Sequence, residues 1–143
     1  MKQEEKELLI KYLCEMLYHN VKVEYGRIHE GKDLGETQDF LTGRMIDSYK
    51  NNIMIGFTEV YSITPYLRPM SSMTEEEYNE IFNESGFDTT EINNGIVYAE
   101  TLKIPIEFCG HLIDWLNAHY FDYLGLIPMR LALEAPEGMY DFK

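Results

Sequence analysis

The stretch "TPYLRPMSSMTEEE", Thr64–Glu77, contains two prolines four residues apart and ends in a run of carboxylates. Pro65 and Pro69 disfavour helical geometry in the residues before them, so this part of the chain is predicted to be extended or turning. Thr74 has Glu77 three residues later, which is the pattern of a capping box. We therefore expect an extended segment that ends here and a helix that begins directly after Thr74.

Arg68 lies between the two prolines and is followed by Ser71 and Ser72. One interpretation is an anion site, because backbone amides and the helix dipole favour negative charge at a helix N-terminus. The other is that Arg68 pairs with a nearby glutamate or caps a carbonyl, as surface arginines often do. The sequence leaves both interpretations open.

The chain has 143 residues, of which 45% are hydrophobic and 26% charged. This length is typical of one domain, and the apolar content can offset chain entropy, so wholesale disorder is not expected. No repeat or linker divides the sequence. We predict a single domain spanning residues 1–143.

The formal net charge of the chain is -13. Such a charge repels nucleic-acid phosphates and anionic membranes, so neither direct nucleic-acid binding nor membrane binding is expected. The acidity is typical of a solubilising surface, and an acidic mimic of nucleic acid is the alternative. No window approaches the roughly 18 apolar residues of a membrane span, and the first helix contains glutamates, so a cytoplasmic location in a host cell is predicted.

The two cysteines, Cys14 and Cys109, lack the spacing of a zinc site or a disulfide framework. Each lies in an apolar helical pattern, which predicts buried free thiols. His111 and His119 share a helix face, but they are separated by about 12 Å along the axis, too far to bind one metal ion unaided. No metal or cofactor is therefore expected.

Periodicity predicts an α+β fold: a small antiparallel sheet or partial barrel of about four to five strands packed with three helices. The predicted helices are 4–18, about 75–84, and a third that begins at Pro105. Its buried stripe is expected to contain Phe108, Cys109, Leu112, Ile113 and Leu116. The predicted strands are 21–26, two around a turn at Asn51–Asn52 of which the second is 53–57, one at 95–104, and a short strand or extended segment at 127–133. Residues 29–43 are interpreted as a long hairpin connection.

The stretch "WLNAHYFDY", Trp115–Tyr123, concentrates aromatic rings with polar groups at a helix end. Such residues fill cores, but they are also typical of protein interfaces and ligand pockets. With the Pro-rich segment, they give the candidate residues for ligand or partner binding: Tyr66, Arg68, Ser71, Ser72, Trp115, His119, Tyr120, Asp122 and Tyr123. We expect the two segments to be neighbours in space, with Tyr66 or Leu67 contacting Trp115, Leu116, Tyr120 or Phe121.

The sequence contains neither a nucleophile elbow nor a glycine-rich phosphate loop. No catalytic residue is assigned. An enzyme remains an alternative because catalytic groups often come from distant parts of a chain.

The runs "PYLRPMSSMTEEE" and "DWLNAHYFDYLGLIPMRLALEAPEGMY" resemble small proteins of phages and prophages of gut Bacteroidales, which carry PYLRP-[LM]-SSMTEEE and DWLNAHHFDYRGLI…LALEAPEGMY. Tyr120 stands where these proteins often have a second histidine, and Leu124 where they often have arginine. The resemblance implies a mobile genetic element but no activity and no catalytic residue.

The resemblance, the small size and the acidity together favour an accessory protein that acts by non-catalytic binding to a host protein, with a defence-related target as one possibility. A partner encoded by the phage itself is also open. The main alternative is a protein that sequesters a small, nucleotide-like ligand.

Overall fold

A computed structural model describes residues 3–29, 32–50, 60–85, 91–93, 95–99 and 102–140. Within these ranges the chain forms four α-helices and two sheets of four and three strands, which confirms the predicted α+β class. The contacts group into two compact units: residues 1–66 with 131–133, and residues 67–130 with 134–143. The assignment of the whole chain to one domain stays a prediction.

The first unit contains two helices and the larger sheet. Its helices are α1 (Gln3–Met16) and α2 (Gly43–Lys50), and its first three strands are β1 (Lys22–His29), β2 (Lys32–Phe40) and β3 (Val60–Leu67). The sheet has the order β2-β1-β3-β7, in which β7 (Leu133–Glu134) begins in this unit. β1 lies between β2 and β3 and is antiparallel to both.

Helix α1 forms where the 3.6-residue period predicts it. Its buried residues, Leu9, Tyr12, Leu13 and Met16, recur at three- and four-residue steps and therefore occupy one face. This face packs in the core of the first unit, where α1 contacts α2.

The predicted strand over residues 44–50 is wrong, because these residues form α2. The helix begins where Thr42 Oγ1 accepts a hydrogen bond from the Met45 amide at 3.2 Å, as an N-cap does. Ile46 and Tyr49, three residues apart, are both buried. The connection predicted over 29–43 is also wrong, since most of it is β2, and the strand predicted at 53–57 lies outside the described residues.

The second unit contains the smaller sheet and two helices. Its elements are α3 (Glu75–Ser85), β4 (Glu91–Asn93), β5 (Ile96–Ala99), β6 (Leu102–Pro105) and α4 (Gly110–Ala118). The strands pair in the order β4-β5-β6, and α3 packs against α4. Where one strand was predicted at 95–104, the chain forms the two strands β5 and β6.

Helix α4 begins five residues later than predicted, because Pro105 ends β6 and a short 3-10 turn, Ile106–Phe108, precedes the helix. Phe108 therefore does not reach the apolar stripe, and 76% of its surface is exposed. Leu112 and Leu116 are buried as predicted.

The two cysteines differ in burial. Cys109 is buried, as predicted, and burial raises the pKa of its thiol. Cys14 is exposed, so the prediction of burial is wrong for this residue. It lies next to the apolar stripe of α1 rather than on it, one position after Leu13.

None of the helices in the described ranges combines the length and the apolar character that a bilayer crossing needs.

Candidate functional site

The start of α3 is the capping box that the sequence predicts. Thr74 Oγ1 accepts a hydrogen bond from the Glu77 amide at 3.1 Å, and Glu77 Oε1 accepts one from the Thr74 amide at 3.1 Å. Two amides that the helix leaves without carbonyl partners are thereby satisfied. The carboxylate of Glu77 is consequently fixed in position at the helix N-terminus.

Arg68 forms an ion pair with this carboxylate. Its Nη1 and Nη2 donate to Glu77 Oε2 and Oε1 at 2.8 and 2.7 Å, a bidentate pair whose side chains are each only 16% exposed. Nη1 also donates to the carbonyl of His119 at 3.3 Å. This geometry confirms the interpretation in which Arg68 pairs with a glutamate and caps a carbonyl.

The pKa of Glu77 is set by opposing effects. Burial alone would raise it, but the hydrogen bonds from Arg68 and Thr74 and the positive charge of Arg68 together hold the pKa below its ordinary value. Glu77 is therefore ionised at neutral pH and neutralises much of the positive charge of Arg68. An anion approaching this helix end meets a guanidinium that already has a carboxylate partner.

The end of α4 turns the chain toward Arg68. Tyr120 has a left-handed backbone with φ of 62°, its amide donates to the Asn117 carbonyl at 3.2 Å, and the Phe121 amide donates to the Leu116 carbonyl at 3.0 Å. These two bonds define a Schellman motif, in which glycine is the usual left-handed residue. Tyr120 occupies that position and stacks its ring on Tyr140, with centroids 3.8 Å apart.

The backbone of Arg68 lies beside the segment that follows this turn. The Arg68 amide donates to the Tyr120 carbonyl at 2.7 Å, and the Asp122 amide donates to the Arg68 carbonyl at 2.9 Å, so Arg68 and Phe121 form a parallel bridge. The predicted proximity of the two segments is confirmed through Arg68. A direct contact from Tyr66 or Leu67 stays a prediction; the Tyr66 hydroxyl donates to Glu24 at 3.1 Å in the first unit.

Rings of the aromatic segment, Trp115–Tyr123, form a stack beneath the guanidinium of Arg68. Trp115 lies parallel to His119 and Phe121, with centroids 3.9 and 5.9 Å away, and Arg68 Cζ lies 4.1 Å from the centroid of Phe121. The contact of a guanidinium with an aromatic ring adds cation–π attraction to the ion pair. Trp115 Nε1 donates to Glu80 at 3.2 Å, which ties α4 to α3. These contacts give Trp115, His119 and Arg68 a role in packing.

Asp122 and Tyr123 also bond within the chain. The Asp122 carboxylate accepts hydrogen bonds from the amides of Leu126 and Ile127 at 2.7 and 2.8 Å, and Tyr123 donates to the Asn117 amide oxygen at 2.8 Å. Asp122 is only 6% exposed, and burial raises its pKa while the backbone amides oppose that rise. Asn117, which the sequence did not single out, is thus a buried polar partner of the candidate site.

A cleft of about 490 Å³ opens beside the ion pair, within the second unit. Its lining combines two stretches of the chain that are distant in sequence. One side is Arg68, Pro69, Ser72 and Thr74, and the other is Glu134, Ala135, Pro136, Glu137, Gly138 and Tyr140. The Ala135 amide donates to the Leu67 carbonyl at 2.7 Å, which fixes one side against the other.

Of the nine predicted site residues, only Arg68 and Ser72 line this cleft. Ser71 is exposed on the adjacent 3-10 turn, while the Ser72 hydroxyl donates to the Pro69 carbonyl at 2.7 Å. Tyr120 adjoins the cleft through its stacking on Tyr140. Asp122 lies at a separate, smaller depression of about 200 Å³.

None of the candidate residues predicted from the sequence lies on the second side of the cleft. This side contains a turn, in which the Met139 amide donates to the Pro136 carbonyl at 3.1 Å. The resemblance expected from the sequence covers both sides of the cleft, and that expectation was the available signal that the two sides share a surface.

Within the described ranges, no group of three or more His, Cys, Asp or Glu side chains is arranged to hold a metal ion. Comparison of the chain with protein-family models, curated proteins and solved structures gives no match.

Proposed function

We propose that the chain is an accessory protein encoded by a phage or prophage, and that it acts without catalysis by binding a host protein at the cleft. The observation that carries the proposal is the composition of the cleft lining. Both segments that resemble the phage proteins contribute to it, one on each side. A shared binding surface accounts for two specific sequence runs whose cleft-lining residues are about 60 positions apart along the chain.

The bonding of the two shielded carboxylates, Glu77 and Asp122, favours structural roles for them over catalytic ones. A general acid or base needs a titratable group that can reach a substrate. At this site Glu77 is engaged by Arg68 and Thr74, and Asp122 by two backbone amides. Glu77 is thus a structural acceptor at the start of α3, and Asp122 is one in the turn that follows α4.

The charge around the cleft counts against the nucleotide-like ligand. The cleft volume is within the range of small-molecule sites, roughly 300–1,000 Å³. However, Glu134 and Glu137 line it, and its arginine is already neutralised by Glu77. Phosphate groups would meet repulsion there.

Affinity capture from a lysate of a gut Bacteroidales host tests the proposal. The immobilised chain is compared with Ser72→Trp, which places a large ring in the cleft, and with Ser71→Trp, which places the same ring on an exposed neighbour outside the lining. We expect one host protein to be retained by the wild type and by Ser71→Trp and lost with Ser72→Trp. The same pattern should reappear with the purified host protein.

Two results contradict the proposal. One is that no host protein is retained while a phosphorylated small molecule co-purifies with the chain. The other is that both tryptophan variants retain the host protein equally, which moves the binding surface away from the cleft.

A further inference from the structure

We infer that the cleft recognises a basic, arginine-containing segment of its protein partner. This inference rests on the proposed binding function and assigns the chemistry of the partner.

The charged groups that line the cleft have an excess of negative charge. Glu134 and Glu137 lie on one side and are exposed, and Arg68 is the one cation of the lining that the structure describes. Arg68 forms its bidentate pair with Glu77, so its charge is largely compensated. The two glutamates therefore give the cleft a negative potential, and the formal charge of -13 on the whole chain adds to it.

The backbone of the cleft is also poorly suited to anions. Anion sites in proteins usually present several backbone N–H groups. Here two of the lining residues, Pro69 and Pro136, have no N–H group to donate. The amide of Thr74, another lining residue, already donates to Glu77. Carboxylate oxygens remain as the acceptors for a cationic guest.

Tyr140 makes arginine a better guest than lysine. A guanidinium can donate to carboxylates in its plane while its face lies on an aromatic ring, whereas an ammonium is a compact and strongly hydrated charge. The same unit already shows this combination, because Arg68 pairs with Glu77 and lies over Phe121. Tyr140, whose ring stacks on Tyr120, lines the cleft together with Glu134 and Glu137, so an incoming arginine would meet an aromatic residue and two carboxylates there.

Direct binding of a defined probe tests the inference. The probe is a short, fluorescent peptide that alternates arginine with glycine, and its controls are the same peptide with lysine and with glutamine in place of arginine. Binding to the purified chain is followed by fluorescence polarisation at about 0.15 M salt, where exposed charges more than roughly 8 Å apart are largely screened. We expect the arginine peptide to bind most tightly and the glutamine peptide not to bind.

A pair of isosteric double variants separates the cleft from the general acidity of the chain. The test variant is Glu134→Gln with Glu137→Gln, and the control is Glu107→Gln with Asp114→Asn, which removes two exposed carboxylates of the same unit outside the cleft. Both double variants change the net charge by the same amount. We expect the test variant to weaken arginine-peptide binding by about tenfold and the control by less than about twofold.

The inference is overturned if the arginine peptide does not bind, if both double variants weaken binding equally, or if a nucleotide binds the cleft in preference to the peptide. These outcomes are distinct from failure of the proposed function. A host protein that depends on Ser72 but is captured equally by the Glu134→Gln, Glu137→Gln variant would overturn the inference alone. Peptide binding that needs the two glutamates, without any captured host protein, would support the inference and contradict the host-protein proposal.

Discussion

Glu77 and Asp122 are both shielded carboxylates of the second unit, yet their surroundings shift their pKa values in opposite directions. Glu77 has a guanidinium partner and a lowered pKa, whereas Asp122 accepts hydrogen bonds from backbone amides and has a raised pKa. A neighbouring cation offsets the cost of removing the charged Glu77 carboxylate from water. Backbone amides offset this cost only in part for Asp122, which is more deeply buried. The site at Glu77 therefore joins elements through an ion pair, whereas the site at Asp122 shapes a turn through hydrogen bonds.

The largest expected effect belongs to Asp122→Ala. This change leaves the buried amide of Leu126 and the amide of Ile127 without their acceptor, and each loss costs about 1–3 kcal/mol. We expect the free energy of unfolding in denaturant to fall by about 2–5 kcal/mol. Asp114→Ala, an exposed change on α4, is the control and should stay within about 0.5 kcal/mol of the wild type. Equal effects of the two variants would show that the Asp122 bonds are dispensable.

Arg68→Ala should have the next largest effect. It removes the bidentate pair with Glu77 and the contact over Phe121, and it leaves a largely buried carboxylate without its cation. Because the pair is neither fully buried nor fully exposed, we expect a loss of about 1–3 kcal/mol in denaturant melts. Near-neutral behaviour would be expected only of an exposed Arg68, and this side chain is not exposed.

A double-mutant cycle of Arg68→Ala with Glu77→Ala isolates the pair from the other contacts of each residue. Arg68→Lys is an informative second variant, since it keeps the positive charge but loses the bidentate hydrogen bonds to Glu77. Arg44→Ala, at an exposed arginine, is the control for removal of a positive charge. Additive losses in the cycle would contradict a direct interaction between Arg68 and Glu77.

Thr74→Ala should cost less than Arg68→Ala, about 0.5–2 kcal/mol, because it removes one capping bond. Thr74→Ser keeps a hydroxyl oxygen and is the matched control in the same denaturant melts. A greater loss for Thr74→Ala than for Arg68→Ala would show that the cap, and not the ion pair, dominates this joint.

The smallest expected effects are on the pH dependence of stability, and they have opposite signs at the two carboxylates. Since the folded pKa of Glu77 is lowered, its contribution is present above the unfolded pKa, about 4.3, and is lost as the pH falls through the folded value. Since the folded pKa of Asp122 is raised, the folded state favours the proton, and stability falls as the pH rises from about 3.9 through the folded value.

Denaturant melts between about pH 3 and 6 measure these slopes. Relative to the wild type, Glu77→Gln should make the rise of stability with pH shallower, whereas Asp122→Asn should make it steeper. Glu107→Gln, at an exposed carboxylate, serves as the reference variant. Slopes that change in the same direction for Glu77→Gln and Asp122→Asn would contradict the assigned environments.

Local chemistry made part of the candidate site predictable. The capping box depends on residues three positions apart, so Thr74 and Glu77 could be assigned from the sequence. The partners of Arg68 in the aromatic segment could not be assigned, because nothing near Arg68 in sequence specifies the His119 carbonyl or the Phe121 ring. The second side of the cleft could not be assigned from the sequence for the same reason. Its residues, 134–140, are distant in sequence from the first side and meet it only in the folded chain.

The incorrect secondary-structure predictions lie in short segments whose apolar residues fit both a helical and a strand spacing. Residues 44–50 contain Ile46 and Tyr49 at helical spacing, but the Asn51–Asn52 pair suggested a hairpin turn between strands. Thr42 as an N-cap was the signal for α2 that the strand interpretation overlooked. Glycine and polar residues obscured β2, whose pairing is specified by β1 rather than by its own sequence.

The sequence separation of the Arg68 contacts has a consequence for biosynthesis. Glu77 follows Arg68 by nine residues, whereas the His119 carbonyl is 51 residues away. A ribosome that adds about 5–20 residues per second exposes the first partner seconds before the second. Closing the shorter loop also costs less entropy. We therefore expect a nascent chain to be able to form the capped start of α3 with its arginine first, so that the later aromatic segment docks onto a partly ordered template.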